Sequence, residues 1–154
     1  MTHASNAMAV DEDDRLHQVI NLAVEARTSA YARYSGFAMG AALIGVDGRT
    51  TRGVLVENVS LGLSMCAERV ALFTAVTESI PPALLAVCAP RTGGQLTFPC
   101  GACLQVALEV AGPDLLVVAV DPQGAHESVT LDSLLPRAPR RHTSAIGPAV
   151  TADL

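Results

Sequence analysis

Tryptophan and lysine are absent from this chain, and aromatic residues make up only 3% of it although half of its residues are hydrophobic. A core must therefore be assembled from Ala, Val and Leu. All ten basic residues are Arg, scattered along the sequence, and the net charge is −5. Phosphate backbones are held by a concentrated basic face, so nucleic acid is excluded as the main partner. The cluster Arg137, Arg140 and Arg141 comes nearest to such a face, and its proline-broken surroundings mark it as a solvated tail. Long apolar runs are also missing: residues 115–120 are among the longest and are far too short to span a bilayer. No charged leader followed by an apolar segment opens the chain, which predicts a cytoplasmic protein with no membrane partner. Four cysteines in a reducing compartment read as thiols or metal ligands rather than disulfides.

At 154 residues the chain has the size of one domain. Residues 1–12 are polar and Ala-rich, end in an acidic run, and are expected to be a disordered extension. Over 13–29 the apolar residues Leu16, Val19, Ile20, Ala23, Val24 and Ala26 recur at helical spacing. Two β-prone runs, 39–46 and 51–60, flank Asp47-Gly48, a dipeptide suited to a tight turn, and should pair antiparallel. A helix over 65–78 stopped by Pro81-Pro82, a buried strand over 84–89, a helix over 101–111 stopped by Gly112-Pro113, a buried strand over 115–120 and a short helix over 130–135 follow. The domain thus covers 13–136, and the Pro- and Arg-rich residues 137–154 form a flexible tail. This order predicts an α/β fold, a three-layer α-β-α sandwich around a mixed sheet of about five strands. Apolar surplus in so small a domain favours a homo-oligomer.

The chemistry concentrates in CAER at 66–69 and PCGAC at 99–103, each where a helix should begin. Cys100 and Cys103 are three apart, so on a first helical turn both side chains project to one side and can share an ion. The positive helix end favours ionised thiolates, the form that binds metal. With Cys66 they make three ligands for a tetrahedral zinc and leave one position open for water, the mark of a catalytic site. Such a water has its pKa lowered towards about 7. Glu68 is the only carboxylate beside a ligand cysteine and is the candidate proton carrier. Residues two apart on a helix point in different directions, so Cys66 must stand at the helix start with Glu68 in the first turn. Three thiolates on Zn²⁺ leave a net negative charge, which Arg69 could offset by donating to a sulfur. The alternative is a structural four-cysteine zinc completed by Cys88. Structural ligands come in close pairs, and Cys88 stands alone in an apolar run, as a buried strand residue does. His3, His17, His126 and His142 fall near neither motif.

The two motifs, with YSGFAMGAAL at 34–43, VENVS at 56–60 and LLP at 134–136, resemble the small, three-cysteine class of cytidine deaminases from about residue 30 to 136. The resemblance implies a zinc-dependent hydrolase of pyrimidine salvage that acts on a cyclic amidine C–N bond. Glu68 would protonate ring N3 and then the departing amine. It also implies that Phe37 packs on the base, the Ala67 amide meets the 2-keto oxygen, Glu57 binds a ribose hydroxyl, and the assembly is a homotetramer.

Four departures from the family pattern fall where substrate or neighbour should sit. Leu55 stands for the usual Asn, Leu61 for an aromatic residue and Leu104 for a customary Arg, and no Phe follows LLP. Losing a hydrogen-bond donor to the sugar weakens binding by about 1–3 kcal/mol. The expected substrate is therefore an aminopyrimidine nucleoside, with cytidine, deoxycytidine and a modified nucleoside such as blasticidin S as candidates. A non-catalytic zinc-containing nucleoside-binding protein of the same fold is the further alternative.

Overall fold

The structure, a computed structural model, describes the backbone of residues 3–140 and the side chains of residues 11–140. In chain order the elements are α1 (His3–Arg27), β1 (Gly40–Gly45), β2 (Thr50–Val54), α2 (Ala67–Thr77), β3 (Pro82–Cys88), α3 (Gly101–Ala111), β4 (Leu116–Val120), β5 (His126–Thr130) and α4 (Leu131–Leu134). The strands form one sheet in the order β2-β1-β3-β4-β5. Only the β3–β4 pair is parallel, and α3 is the crossover that joins its strands.

Period-two alternation along the strands divides the core into two layers. Ala41, Leu43, Leu85, Val87 and Val117 face α2 and α3 and pack with Ala71, Leu72, Ala75, Leu104, Ala107 and Leu131. Ala42, Ile44, Leu84, Ala86, Cys88, Val118 and Val120 face the other way, onto Val19, Ile20 and Ala23 of α1. The expected three-layer α-β-α sandwich with a mixed five-stranded sheet is therefore the observed one.

Two glycines set how closely helices lie on the sheet. A Cβ on Gly53 would stand 2.2 Å from the Ala67 carbonyl oxygen and 2.6 Å from the Ala71 nitrogen, so α2 rests directly on β2. A Cβ on Gly40 would stand 2.2 Å from the Arg27 nitrogen, so the end of α1 rests on β1 from the opposite side.

Three elements differ from the sequence expectation. α1 begins at His3 rather than near residue 13. The second hairpin strand stops at Val54; beyond it the Leu55 carbonyl accepts the Tyr31 amide, and Val56 pairs with Met65 outside the sheet. A fifth strand, β5, was not anticipated as such: its sequence HESVT is polar and mostly exposed because it is an edge strand. It is turned back onto β4 by Asp121, whose Oδ1 accepts the Gln123 and Ala125 amides at 3.0 Å each.

Of the expected tail, residues 141–154 lie outside the described residues. Before them, the Gln105 side-chain amide donates to the Pro139 carbonyl, and Arg140 pairs with Asp132. Among the described residues no helix is long and apolar enough to cross a membrane.

Candidate active site

The α2 and α3 helices start from the same end of the layered core, and cysteine is the N-cap residue of both. Cys66 (φ −70°, ψ 148°) precedes α2, and Cys100 (φ −67°, ψ 165°) precedes α3. Both backbones are extended, as an N-cap requires, yet neither thiol caps its own helix. The sulfurs instead turn to a common point with Cys103, from the first turn of α3. All three lie within 4.8 Å of one another, and the Cys100 and Cys103 sulfurs are 3.5 Å apart. Tetrahedral zinc with Zn–S bonds near 2.3 Å holds its sulfurs about 3.8 Å apart. The donor set therefore fits a zinc ion, as the cysteine spacing predicts.

The sulfurs differ in environment. Cys103 is buried, Cys66 is half-buried and Cys100 is exposed, so the cluster is open on the Cys100 side. The Cys66 thiol is pulled down to about 5, first by a hydrogen bond from Cys103 and then by the Arg69 guanidinium, against the opposing effect of burial. Arg69 Nη2 lies 3.5 Å from the Cys66 sulfur, where the sequence reading put it. Cys103, which donates to Cys66 and is buried, is pushed well above the ordinary thiol range.

Glu68 occupies the first turn of α2, two residues after Cys66, and is 1% exposed. Its Oε2 is buried with no hydrogen-bond partner. Burial, reinforced by the charge on Cys66, raises its carboxyl from 4.5 to about 7. An acid held near neutrality, with a free oxygen beside an open metal cluster, can both take and give a proton.

The other predicted residues take distinct places in the fold. Ala67 is fully buried at the first position of α2. Phe37 is half-buried at the end of the 31–37 loop, and its amide donates to Ser35 Oγ at 2.9 Å. The Glu57 carboxylate reaches that same loop and accepts from Tyr34, at 2.8 Å, and from Ser35. Leu55 is half-buried, and its backbone bonds join Met39 and Tyr31. Leu61 is 83% exposed in the 3-10 turn Leu61–Leu63, and Leu104 is buried in the core. Cys88 lies on the sheet face towards α1, opposite α2 and α3, so a four-cysteine site that includes it is ruled out.

Sequence reasoning missed Gly53, Tyr34 and Ser35. Gly53 carried a signal, since glycine inside a strand marks a close backbone approach. The bonds from residues 34–35 to Glu57 span more than 20 positions and left no trace in local pattern.

Known proteins resemble this chain over most of its length. Residues 13–119 match the family described as the cytidine and deoxycytidylate deaminase zinc-binding region. A cytidine deaminase of Halalkalibacterium halodurans is 41% identical over 120 residues, 78% of this chain and 90% of that protein. The crystal structure of cytidine deaminase from Burkholderia pseudomallei superposes with a TM-score of 0.74 at 44% identity, covering 79% of this chain and 97% of that one. That from Mycobacterium tuberculosis gives a TM-score of 0.68 at 36% identity, covering 80% and 95%. With two thirds of its residues inside the match and its three cysteines gathered at two helix starts, the chain belongs to the cytidine and deoxycytidylate deaminase zinc-binding family.

Proposed function

We propose that the protein is a zinc-dependent hydrolase that replaces the exocyclic amine of a cytosine nucleoside with oxygen, releasing ammonia and the uracil form. The observation that carries this reading is the buried, unpartnered Glu68 Oε2 next to three converging thiols. Cys66, Cys100 and Cys103 hold the zinc. When bound, the ion acts as a Lewis acid that makes a coordinated water acidic near neutral pH. Glu68 accepts a proton from the attacking water and delivers it to ring N3. It then carries the second proton to the leaving amine, so one water is consumed for each ammonia released. A carboxyl with a pKa of about 7 suits both directions of transfer. Arg69 compensates the charge of the thiolates through Cys66. Phe37 packs on the base, and the Ala67 amide, at the positive start of α2, meets the 2-keto oxygen.

Leu55 and Leu61 favour a second reading of the same chemistry, in which deoxycytidine or a modified nucleoside such as blasticidin S replaces cytidine. Leu55 offers a sugar hydroxyl no side-chain partner. Val59, Leu61 and Leu63 are 79%, 83% and 69% exposed within five residues, a surplus that supports assembly into a homo-oligomer, by resemblance a tetramer. Four free thiols suit the reducing cytoplasm.

Ammonia release from zinc-loaded protein over cytidine, deoxycytidine, cytosine and blasticidin S tests the function and ranks the substrates. Glu68→Ala should keep its zinc and lose about a hundred- to ten-thousand-fold in kcat. Full turnover in that variant would remove Glu68 from the mechanism.

A further inference from the structure

Of the three clustered cysteines Cys100 is the exposed one, and its place depends on the loop that delivers it. β3 ends at Cys88, and residues 89–99 carry the chain from there to Cys100 at the start of α3. This loop is folded on itself. The Thr92 and Gln95 amides each donate to the other's carbonyl at 3.0 Å, around a tight turn in which Gly93 (φ +57°) and Gly94 (φ +79°) are both left-handed. The Thr97 hydroxyl donates to the Pro90 carbonyl at 2.6 Å, which leaves its oxygen to accept from the Thr92 hydroxyl at 2.7 Å. Residues 90–97 therefore form one closed piece, and Phe98 and Pro99 alone separate it from Cys100.

One side chain fastens that piece to the sheet. Arg91 Nε donates to Asp121 Oδ2 at 2.8 Å, while its Nη1 donates to the Gly94 carbonyl at 3.1 Å. A planar guanidinium holds two acceptors in a fixed relation, which a point-like ammonium does not. Asp121 directly follows β4 and is 3% exposed. Its other oxygen accepts the Gln123 and Ala125 amides, so the carboxylate moves with the β4–β5 turn. Among the described residues no other hydrogen bond joins 90–97 to the rest of the fold. The other two cysteines are held differently. Cys103 is buried within the first turn of α3, and Cys66 follows Met65, whose backbone exchanges two bonds with Val56.

We infer that Arg91 and Asp121 are positioning residues for Cys100: their pair ties the 90–97 loop to the end of β4 and so fixes the exposed sulfur relative to Cys66 and Cys103. The inference rests on the reading of these three cysteines as a zinc site. It concerns a segment that the substrate does not need to touch.

The test measures how fast zinc leaves the loaded protein for an excess of chromogenic chelator. Arg91→Met and Asp121→Asn should each release zinc about 10-fold faster than wild type, the scale on which lost support of a metal ligand is felt. The double variant should be no faster than Arg91→Met alone, because both changes cut one tie. Arg49→Met is the control, since Arg49 pairs with Asp47 and donates to the Glu78 and Ser79 carbonyls at the far end of α2, and its release rate should stay at the wild-type value. Hydrogen exchange at the Gln123 and Ala125 amides should be unchanged in Arg91→Met, where Asp121 still accepts them. Wild-type release rates in Arg91→Met and Asp121→Asn would overturn the positioning role, as would additive effects in the double variant or an equal acceleration by Arg49→Met. Wild-type protein that binds no zinc would overturn the zinc-site reading and this role together.

Discussion

Replacing Gly53 by alanine adds one methyl group, at the surface where α2 lies on β2. The new Cβ would stand 2.2 Å from the Ala67 carbonyl oxygen, 2.6 Å from the Ala71 nitrogen and 2.9 Å from the Val70 Cβ. Carbon and oxygen sit comfortably about 3.3 Å apart. The helix must therefore retreat by about 1 Å, because two of the three atoms met are backbone and cannot swing aside. Overpacking of this kind costs about 1–3 kcal/mol. The reduced freedom of the unfolded chain returns only about 0.4–1 kcal/mol, so destabilisation wins. Central values of about 2 kcal/mol lost and about 0.7 kcal/mol returned leave a net loss of about 1.3 kcal/mol, in a domain of this size a fall in Tm of roughly 3–5 °C.

The retreat also reaches chemistry, because Ala67 lies between Cys66 and Glu68. Gly40→Ala is the control: its Cβ would meet the Arg27 nitrogen at the same 2.2 Å, but on the α1 side of the sheet. Both variants should melt earlier, as followed by circular dichroism. Only Gly53→Ala should bind zinc more weakly per folded molecule in a competition titration with a chromogenic chelator. A Gly53→Ala protein with wild-type Tm and zinc affinity would refute the claim that this contact sets the depth of α2.

Two further outcomes follow from the ionisation states of the metal-free cluster. The folded-state pKa of Glu68 is raised from 4.5 to about 7. Its contribution to stability is thus present below pH 4.5 and lost as pH rises through 7, by up to about 3 kcal/mol. Metal-free Glu68→Gln should therefore gain stability over metal-free wild type as pH rises across that window in urea titrations, and a difference that does not change with pH would contradict it. Because the Cys103 thiol is held protonated by Cys66 and by burial, zinc binding at neutral pH should release at least one proton, visible with an indicator dye in weakly buffered solution. Binding without proton release would place the thiolate elsewhere.

Features with a local physical signature were legible in the sequence, and those made by distant contacts were not. Asp47-Gly48 marked the hairpin because a left-handed residue is needed there, and Gly48 has φ +83°. Cys100 and Cys103 marked a shared ion because one helical turn aligns them, and Cys66 with Glu68 demanded a helix start between them. β5 escaped because an edge strand exposes most of its side chains and so loses the alternation that reveals a strand. Residues 55–60 looked like more of β2 because Leu55 and Val56 are β-prone, whereas their partners Tyr31 and Met65 lie outside the sheet. Glu57 could be singled out, but its bonds to Tyr34 and Ser35 arise only when a loop 22 to 23 positions earlier folds beside it.

The scarcity of aromatic residues has a practical side. The chain's two tyrosines, Tyr31 and Tyr34, both lie in the loop that ends at Phe37, and there is no tryptophan to outshine them. Intrinsic emission from this protein is therefore emission from that loop. Tyr31 is bonded through its backbone to Leu55 and Glu57, and the Tyr34 amide is held by the Glu57 carboxylate. Any ligand that moves the loop is thus reported by the native chain, without a label, from fluorophores next to the event and from nowhere else.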